Sequence, residues 1–234
     1  TQDRGRVPLG GRSAAHIVVF SGGKLEIRKG QDVVIEAFKK LLVVCPDALL
    51  IASWCNDSPS ISSISMSPYV SSAPAKGDAE SIGNWLEVQG IPRKNIVVPG
   101  ILNSAQMASL LKQADLAVFP NRCEGGTNLV AMEAIACGIP TVLSANSGHL
   151  DLMRLGCPGV VAMPSNHPLK IPLSDNENFR VWGESDPDYL FGIFVEFLEG
   201  RIQLKPFRGL GDYASLETLS WRCSFETLFS ALES

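Results

Sequence analysis

The 234-residue sequence contains no apolar run approaching the roughly 20 residues of a membrane-spanning helix, so a soluble chain is expected. Its 6 cysteines (Cys45, Cys55, Cys123, Cys137, Cys157 and Cys223) include no C-x-x-C pair and stand mostly among apolar neighbours. Buried, reduced thiols are therefore expected, with neither a disulfide framework nor a zinc site. There is no excess of positive charge: 20 Lys and Arg against 24 Asp and Glu leave a net charge of −4, which argues against a nucleic-acid partner held by broad electrostatics. A Walker-type loop, G-x-x-x-x-G-K-[ST], is missing, as is a signal-peptide pattern ahead of the first strand. The expected setting is cytoplasmic, with peripheral attachment to a membrane left open.

What is present is an ordinary globular composition, 45% apolar and 19% charged, in a chain long enough to bury roughly 70 to 75% of its unfolded surface as one domain. Short apolar runs at 16–20, 48–54, 95–99, 116–119, 141–145 and 160–163 read as strands. Between them lie amphipathic helices near 32–44, 78–90, 104–114, 129–137 and 149–153, with another at 187–198. This alternation predicts an α/β fold, a Rossmann-like doubly wound parallel sheet. Residues 1–12 read as a linker, 13–200 as the sheet domain, and 201–234 as C-terminal helices, one from Tyr213 onward, packing on it. Residues 56–77 hold eight serines and three prolines and are expected to form a mobile loop.

The densest chemistry lies in 115–143, DLAVFPNRCEGGTNLVAMEAIACGIPTVL. A buried strand ends at Pro120 and opens into Glu124, Gly125 and Gly126, and Thr127 or Asn128 can cap a helix beginning at Leu129. A glycine turn feeding a helix N-terminus presents unpaired amides and a positive dipole end, which suits a phosphate. Glu133, in an otherwise apolar helix, is expected to be buried with hydroxyl or amide partners. The first strand leads likewise into Gly22, Gly23, Lys24 and Lys29, which parallel strands would bring to the same sheet edge. His149, beside a later turn, reads more readily as a structural hydrogen-bonder than as a ligand.

The segment from Glu124 to Pro140 resembles the signature of retaining glycosyltransferases of family 4, whose GT-B fold joins two Rossmann-like halves. In that pattern, E-G-F-G-L-x-x-x-E-A-x-A-x-G-x-P, two glutamates have seven residues between them. Here Glu124 and Glu133 have eight residues between them. The resemblance makes Glu133, followed by AIACGIP, the ribose-binding glutamate, and Glu124, by neighbourhood, the one facing the sugar. It also matches Lys24 and Lys29 to the two basic residues of G-[RK]-L-x-x-x-K-G that hold the donor diphosphate, and sets Gly100 and Ile101 beside the nucleobase.

The resemblance thus implies the C-terminal, donor-binding half of a GT-B enzyme. It would transfer a hexose-type group from a nucleoside-diphosphate sugar to an acceptor hydroxyl with retention, without a metal or other cofactor. Glu124, Lys24 and Lys29 would be the catalytic residues. Gly22, Gly23, Gly100, Ile101, Gly125, Gly126, Thr127, Asn128, Leu129 and Glu133 would bind the donor. An N-terminal domain, in cis or in trans, would supply the acceptor site for a glycan, lipid or protein. A nucleotide-sugar-binding module without activity of its own, and a GT-B sugar epimerase, are the alternatives.

Overall fold

The structure, a computed structural model, describes residues 17–157, 159–172, 181–202, 220 and 223. The expected linker at 1–12 and, apart from residues 220 and 223, the helix expected from Tyr213 onward lie outside the described residues. Six strands form one sheet in the order β3-β2-β1-β4-β5-β6, every neighbouring pair parallel. They are β1 (Val18–Gly22), β2 (Leu49–Ser53), β3 (Ile96–Val97), β4 (Leu116–Phe119), β5 (Thr141–Ser144) and β6 (Val160–Met163). The helices are α1 (Gln31–Val44), α2 (Ala79–Val88), α3 (Ser104–Leu111), α4 (Leu129–Ala136), α5 (His149–Arg154) and α6 (Pro187–Leu198). The strand period of two sorts the core into two faces. Val19, Leu50, Leu116 and Val118 pack against α1, α2 and α6, whereas Val18, Phe20, Ala117 and Phe119 pack against α3, α4 and α5. This is the doubly wound α/β sheet that the sequence predicts.

Winding runs outward from β1 to β3, then returns to β4 on the other side of β1. The strand order therefore reverses between β1 and β4, and the carboxyl edge at such a reversal is where doubly wound sheets open a ligand crevice. Phe20 and Phe119 meet edge to face across this boundary, ring centres 6.3 Å apart, a contact worth about 0.5–1.5 kcal/mol beyond burial. Strand β1 ends two residues later than its apolar run, because Ser21 and Gly22 still pair with Ala52 and Ser53.

The serine-rich segment departs from expectation. It contains a 3-10 helix, Pro59–Met66, with Ile64 fully buried and Val70 nearly so. Its serines satisfy the backbone locally: Ser58 Oγ accepts from the Ser60 N–H, and the hydroxyls of Ser62, Ser63 and Ser65 donate to carbonyls three residues back. The Asn56 N–H donates to Gly77 O at 3.0 Å, closing the base, and the Trp85 indole donates to Ser72 O at 2.8 Å. A few apolar anchors and saturated hydroxyls thus order a stretch whose composition reads as loose. Ile64→Ala should lower stability by about 2–4 kcal/mol in urea unfolding. Limited proteolysis should spare 58–67 in the parent and cut there first in the variant; early cleavage of the parent would restore the mobile-loop reading.

Candidate functional site

The turns leaving β1 and β4 build the site from opposite sides of the crevice. After β1, Gly23 bonds back to Ser53 O and Leu25 to Trp54 O, so the chain stays pinned to the end of β2. Gln31 Nε2 donates to Lys24 O at 2.9 Å, tying that turn to α1. A short 3-10 turn, Ile27–Lys29, then ends at Gly30 in the left-handed region, φ 69°, where an added Cβ would stand 2.0 Å from Pro120 O. Only glycine lets the start of α1 come this close to the end of β4.

On the β4 side, Asn121, Arg122 and Glu124 are buried in a turn scaffolded by the β5–α5 connection. Ser144 Oγ and Asn146 Nδ2 donate to Asn121 O at 2.7 and 2.9 Å. The Glu124 N–H donates to Ser147 Oγ at 2.8 Å, and Ser147 has the one positive φ among non-glycine described residues, 40°. Gly148 lies so close to the Gly126 carbonyl that a Cβ would stand 1.7 Å from its oxygen.

These turns bring Lys29 and Glu124 into a direct ion pair, both side chains about nine-tenths buried. Asn121 Nδ2 donates to Glu124 Oε2 at 2.7 Å, and Arg28 Nη1 approaches Oε1 at 3.3 Å while its Nη2 pairs with Glu26 at 2.7 Å. Glu124 is therefore surrounded by donors. Gly22 lies beside Val130 in the first turn of α4, and Gly23 lies under the Lys29 stem. Lys24 is exposed on the same edge and makes no ion pair among the described residues.

At the head of α4, Gly125 and Gly126 are exposed, with open space where a Cβ would project. Thr127 is half-buried, Leu129 is exposed, and Asn128 is the cap. Its Oδ1 accepts from the Ala131 N–H and its Nδ2 faces His149 Nε2 at 3.0 Å, so the Asn128 side chain is occupied within the protein. Glu133 is corrected: it is exposed, without a hydrogen-bond partner among the described residues. The buried residues Ala131, Ala134 and Ile135 turn it off the packed face, and partial desolvation raises its carboxyl pKa. Gly100, φ 75°, and the exposed Ile101 leave β3 on the same sheet edge, two strands from the crevice and bordering a shallow groove lined by Pro99, Leu102 and Ala105.

Arg122 had no place in the sequence reading. Its side chain is 0% exposed, and all five of its N–H donors are used. Nη1 and Nη2 bind Asp32 at 2.8 and 2.6 Å, Nε and Nη2 bind Glu184 at 2.9 and 2.7 Å, and Nη1 also donates to Ile27 O at 2.7 Å. Burial opposes the charge, but Asp32 and Glu184 outweigh it and raise the guanidinium pKa. The acids share further donors, Ser67 Oγ on Asp32 and the Lys170 N–H on Glu184. Asp32 also stands in the first turn of α1, where the helix dipole favours an anion.

A family model described as Glycosyl transferases group 1 matches residues 15–171, more than half of the chain. The chain belongs to this family. An uncharacterized glycosyltransferase of Methanocaldococcus jannaschii is 26% identical over 161 residues, covering 69% of this chain and 35% of that protein. Among solved structures, sucrose-phosphate synthase from Thermosynechococcus elongatus is similar with a TM-score of 0.62 at 18% identity, covering 94% of this chain and 46% of that one. Anabaena HepE in complex with UDP and glucose gives 0.60 at 16% identity, covering 94% and 49%. The pneumococcal O-GlcNAc transferase GtfA in complex with UDP and GlcNAc gives 0.60 at 15%, covering 93% and 35%. At these identities the structural likeness establishes the fold, that of GT-B glycosyltransferases. The group 1 chain spans about a third of its curated relative and less than half of these structures. No helix among its described residues is long and apolar enough to cross a membrane.

His149 in this chain of the group 1 family is fully buried, its Nδ1 3.2 Å from Ser144 O and 3.0 Å from Ser144 Oγ. With Nδ1–H donating there and Nε2 accepting from Asn128, the ring is neutral. Desolvation, aided by nearby Lys29 and opposed by Glu124 and the Ser144 carbonyl, pushes its pKa down from 6.5 to about 4. Between these values the unfolded chain binds the proton and the folded chain does not, so stability falls as pH falls. The contribution is complete above about pH 6.5 and lost on approaching pH 4, on the order of 3 kcal/mol in all. His149→Gln should flatten the melting temperature between pH 6.5 and 4; an unchanged acid slope would remove His149 as its source.

Proposed function

We propose that this chain is the donor-binding half of a retaining glycosyltransferase, which binds a nucleoside-diphosphate sugar in the crevice between β1 and β4. The observation that carries this reading is the meeting of Lys29 with Glu124 at the point where the strand order reverses, beside the open head of α4. A lysine has three donors and Glu124 takes one, so Lys29 keeps two for a diphosphate. Arg28 adds a second cation on the same turn, and Lys24 reaches in from the edge. Asn128 takes the N–H groups of Ala131 and Met132 through its Oδ1 and its carbonyl, and those of Leu129 and Val130, at the helix head, are assigned to the phosphates. Exposed Glu133 is assigned to the ribose hydroxyls, and the groove beside Gly100 and Ile101 to the base. Open space at Gly125 and Gly126 leaves room for the sugar and phosphates.

Transfer then rests on stabilising the leaving diphosphate. The bond from the anomeric carbon to the diphosphate oxygen breaks, the acceptor oxygen bonds to that carbon on the same face, and the acceptor proton passes to the departing phosphate. Lys29, Arg28 and Lys24 offset the charge that develops, so the proposal assigns no step to a metal. Glu124, surrounded by Lys29, Asn121 and Arg28, is assigned to the hexose; carrying so many donors makes it a poor nucleophile. The acceptor, a glycan, lipid or protein, is assigned to an N-terminal domain in cis or in trans. In the proteins whose solved structures hold UDP with glucose or GlcNAc, the ligand is a uridine nucleotide, so uridine diphosphate and its hexose conjugates come first in a thermal-shift panel.

A charge-assisted hydrogen bond contributes about 1.5–3 kcal/mol against about 0.3–1 for a helix terminus, so Lys29→Ala should weaken nucleoside-diphosphate binding roughly ten- to a hundredfold. Calorimetry showing unchanged affinity would remove Lys29 from the site. Glu133→Gln should weaken every ribose-containing ligand by about 1–2 kcal/mol, whereas Glu124→Gln should spare the diphosphate and lower transfer from the intact donor. Normal affinity for nucleoside and diphosphate in Glu133→Gln would sink the ribose assignment. Because Glu133 is exposed, its substitution should leave the melting temperature nearly unchanged.

A further inference from the structure

Resting on the donor-site reading above, we infer that Arg122 is a positioning residue of the donor site, setting where the Ile27–Lys29 turn stands and hence where Lys29 meets a diphosphate. It holds the two carbonyls that precede Lys29. Arg122 Nη1 donates to Ile27 O at 2.7 Å, and the backbone N–H groups of Arg122 and Cys123 donate to Arg28 O at 2.8 and 3.2 Å. On the far side of the turn the same guanidinium grips Asp32, three residues after Lys29, through two hydrogen bonds. The other end of the Lys29–Glu124 pair begins from the same place, since Glu124 lies two residues beyond Arg122. One side chain therefore fixes both partners.

Arg122, Asp32 and Glu184 are each 0% exposed, so the cluster touches no ligand and acts only through the turn. Glu184 completes the clamp: its carboxylate takes two guanidinium donors and its backbone pairs with His167. Lysine cannot substitute, because its three donors radiate from one atom and cannot span two carboxylates and a carbonyl. A clamp of this kind matters for the diphosphate and not for the nucleoside, because Lys29 is assigned to the phosphates alone.

The test is a double-mutant cycle read by calorimetry with uridine and uridine diphosphate as probes. Arg122→Lys should cost about tenfold or more in diphosphate affinity while uridine affinity stays within about twofold. In a Lys29→Ala background the same change should cost less than about twofold, since the residue it positions is gone. Equal losses for uridine and diphosphate, or losses that add across the two backgrounds, overturn the inference and leave Arg122 a structural residue. Should Arg122→Lys fail to fold, the combined variant Arg122→Met, Asp32→Asn, Glu184→Gln buries no uncompensated charge and serves in its place. With a parent-like melting temperature it should show the same selective loss; parent-like diphosphate affinity would overturn the inference. A parent chain that binds no nucleoside diphosphate would instead overturn the donor-site reading on which the inference rests.

Discussion

A fully buried guanidinium between two carboxylates is the constraint to which this fold is tied. Desolvating an ion costs several kcal/mol, and the cost is recovered only when geometry is good and every donor is used. Arg122 meets that condition with five donors on Asp32, Glu184 and Ile27 O. The three residues come from the turn after β4, the first turn of α1 and the chain that enters α6, so the interaction draws together both sides of the crevice and the layer behind α1. Removing one member of such a cluster leaves charge stranded in the interior, which is why it holds its geometry so firmly.

Around that anchor the charges are arranged in two tiers. The inner tier is closed: Asp32 and Glu184 are saturated by Arg122, Ser67 and the Lys170 amide. The outer tier is open, with Lys29 and Arg28 sharing Glu124, Lys24 exposed, and Glu133 facing outward from α4. Saturated groups define position and the remaining donors define what can be recognised. The division leaves a local group of cations at one sheet edge of a chain whose net charge is −4.

Much of the fold was legible because an alternating α/β chain writes its elements as local patterns. The runs at 116–119, 160–163 and 187–198 coincide with β4, β6 and α6. Lys29, Glu124 and the head of α4 were legible as neighbours because parallel strands send their turns to one edge. The serine-rich stretch was not, since its hydroxyls bond to their own backbone and its anchoring depends on Ile64 reaching a distant core. Glu133 was misread against available information: with residues 131, 134 and 135 inward, helical spacing already turns 133 outward. Arg122 left only a faint signal, an arginine three residues beyond the end of a buried strand. Its partners stand 90 and 62 positions away, and no local spacing relates them.

The contact between Gly148 and the Gly126 carbonyl has a bearing on how such sites can change. Two loops from different strands touch backbone to backbone, and the left-handed Ser147 beside Gly148 accepts from Glu124. Neither loop can be lengthened, or exchanged with that of a relative, while the other keeps its present shape. Transplanting the 121–128 turn therefore requires moving residues 144–149 with it, as a two-loop cassette. Diversification by recombination would have to inherit the pair together.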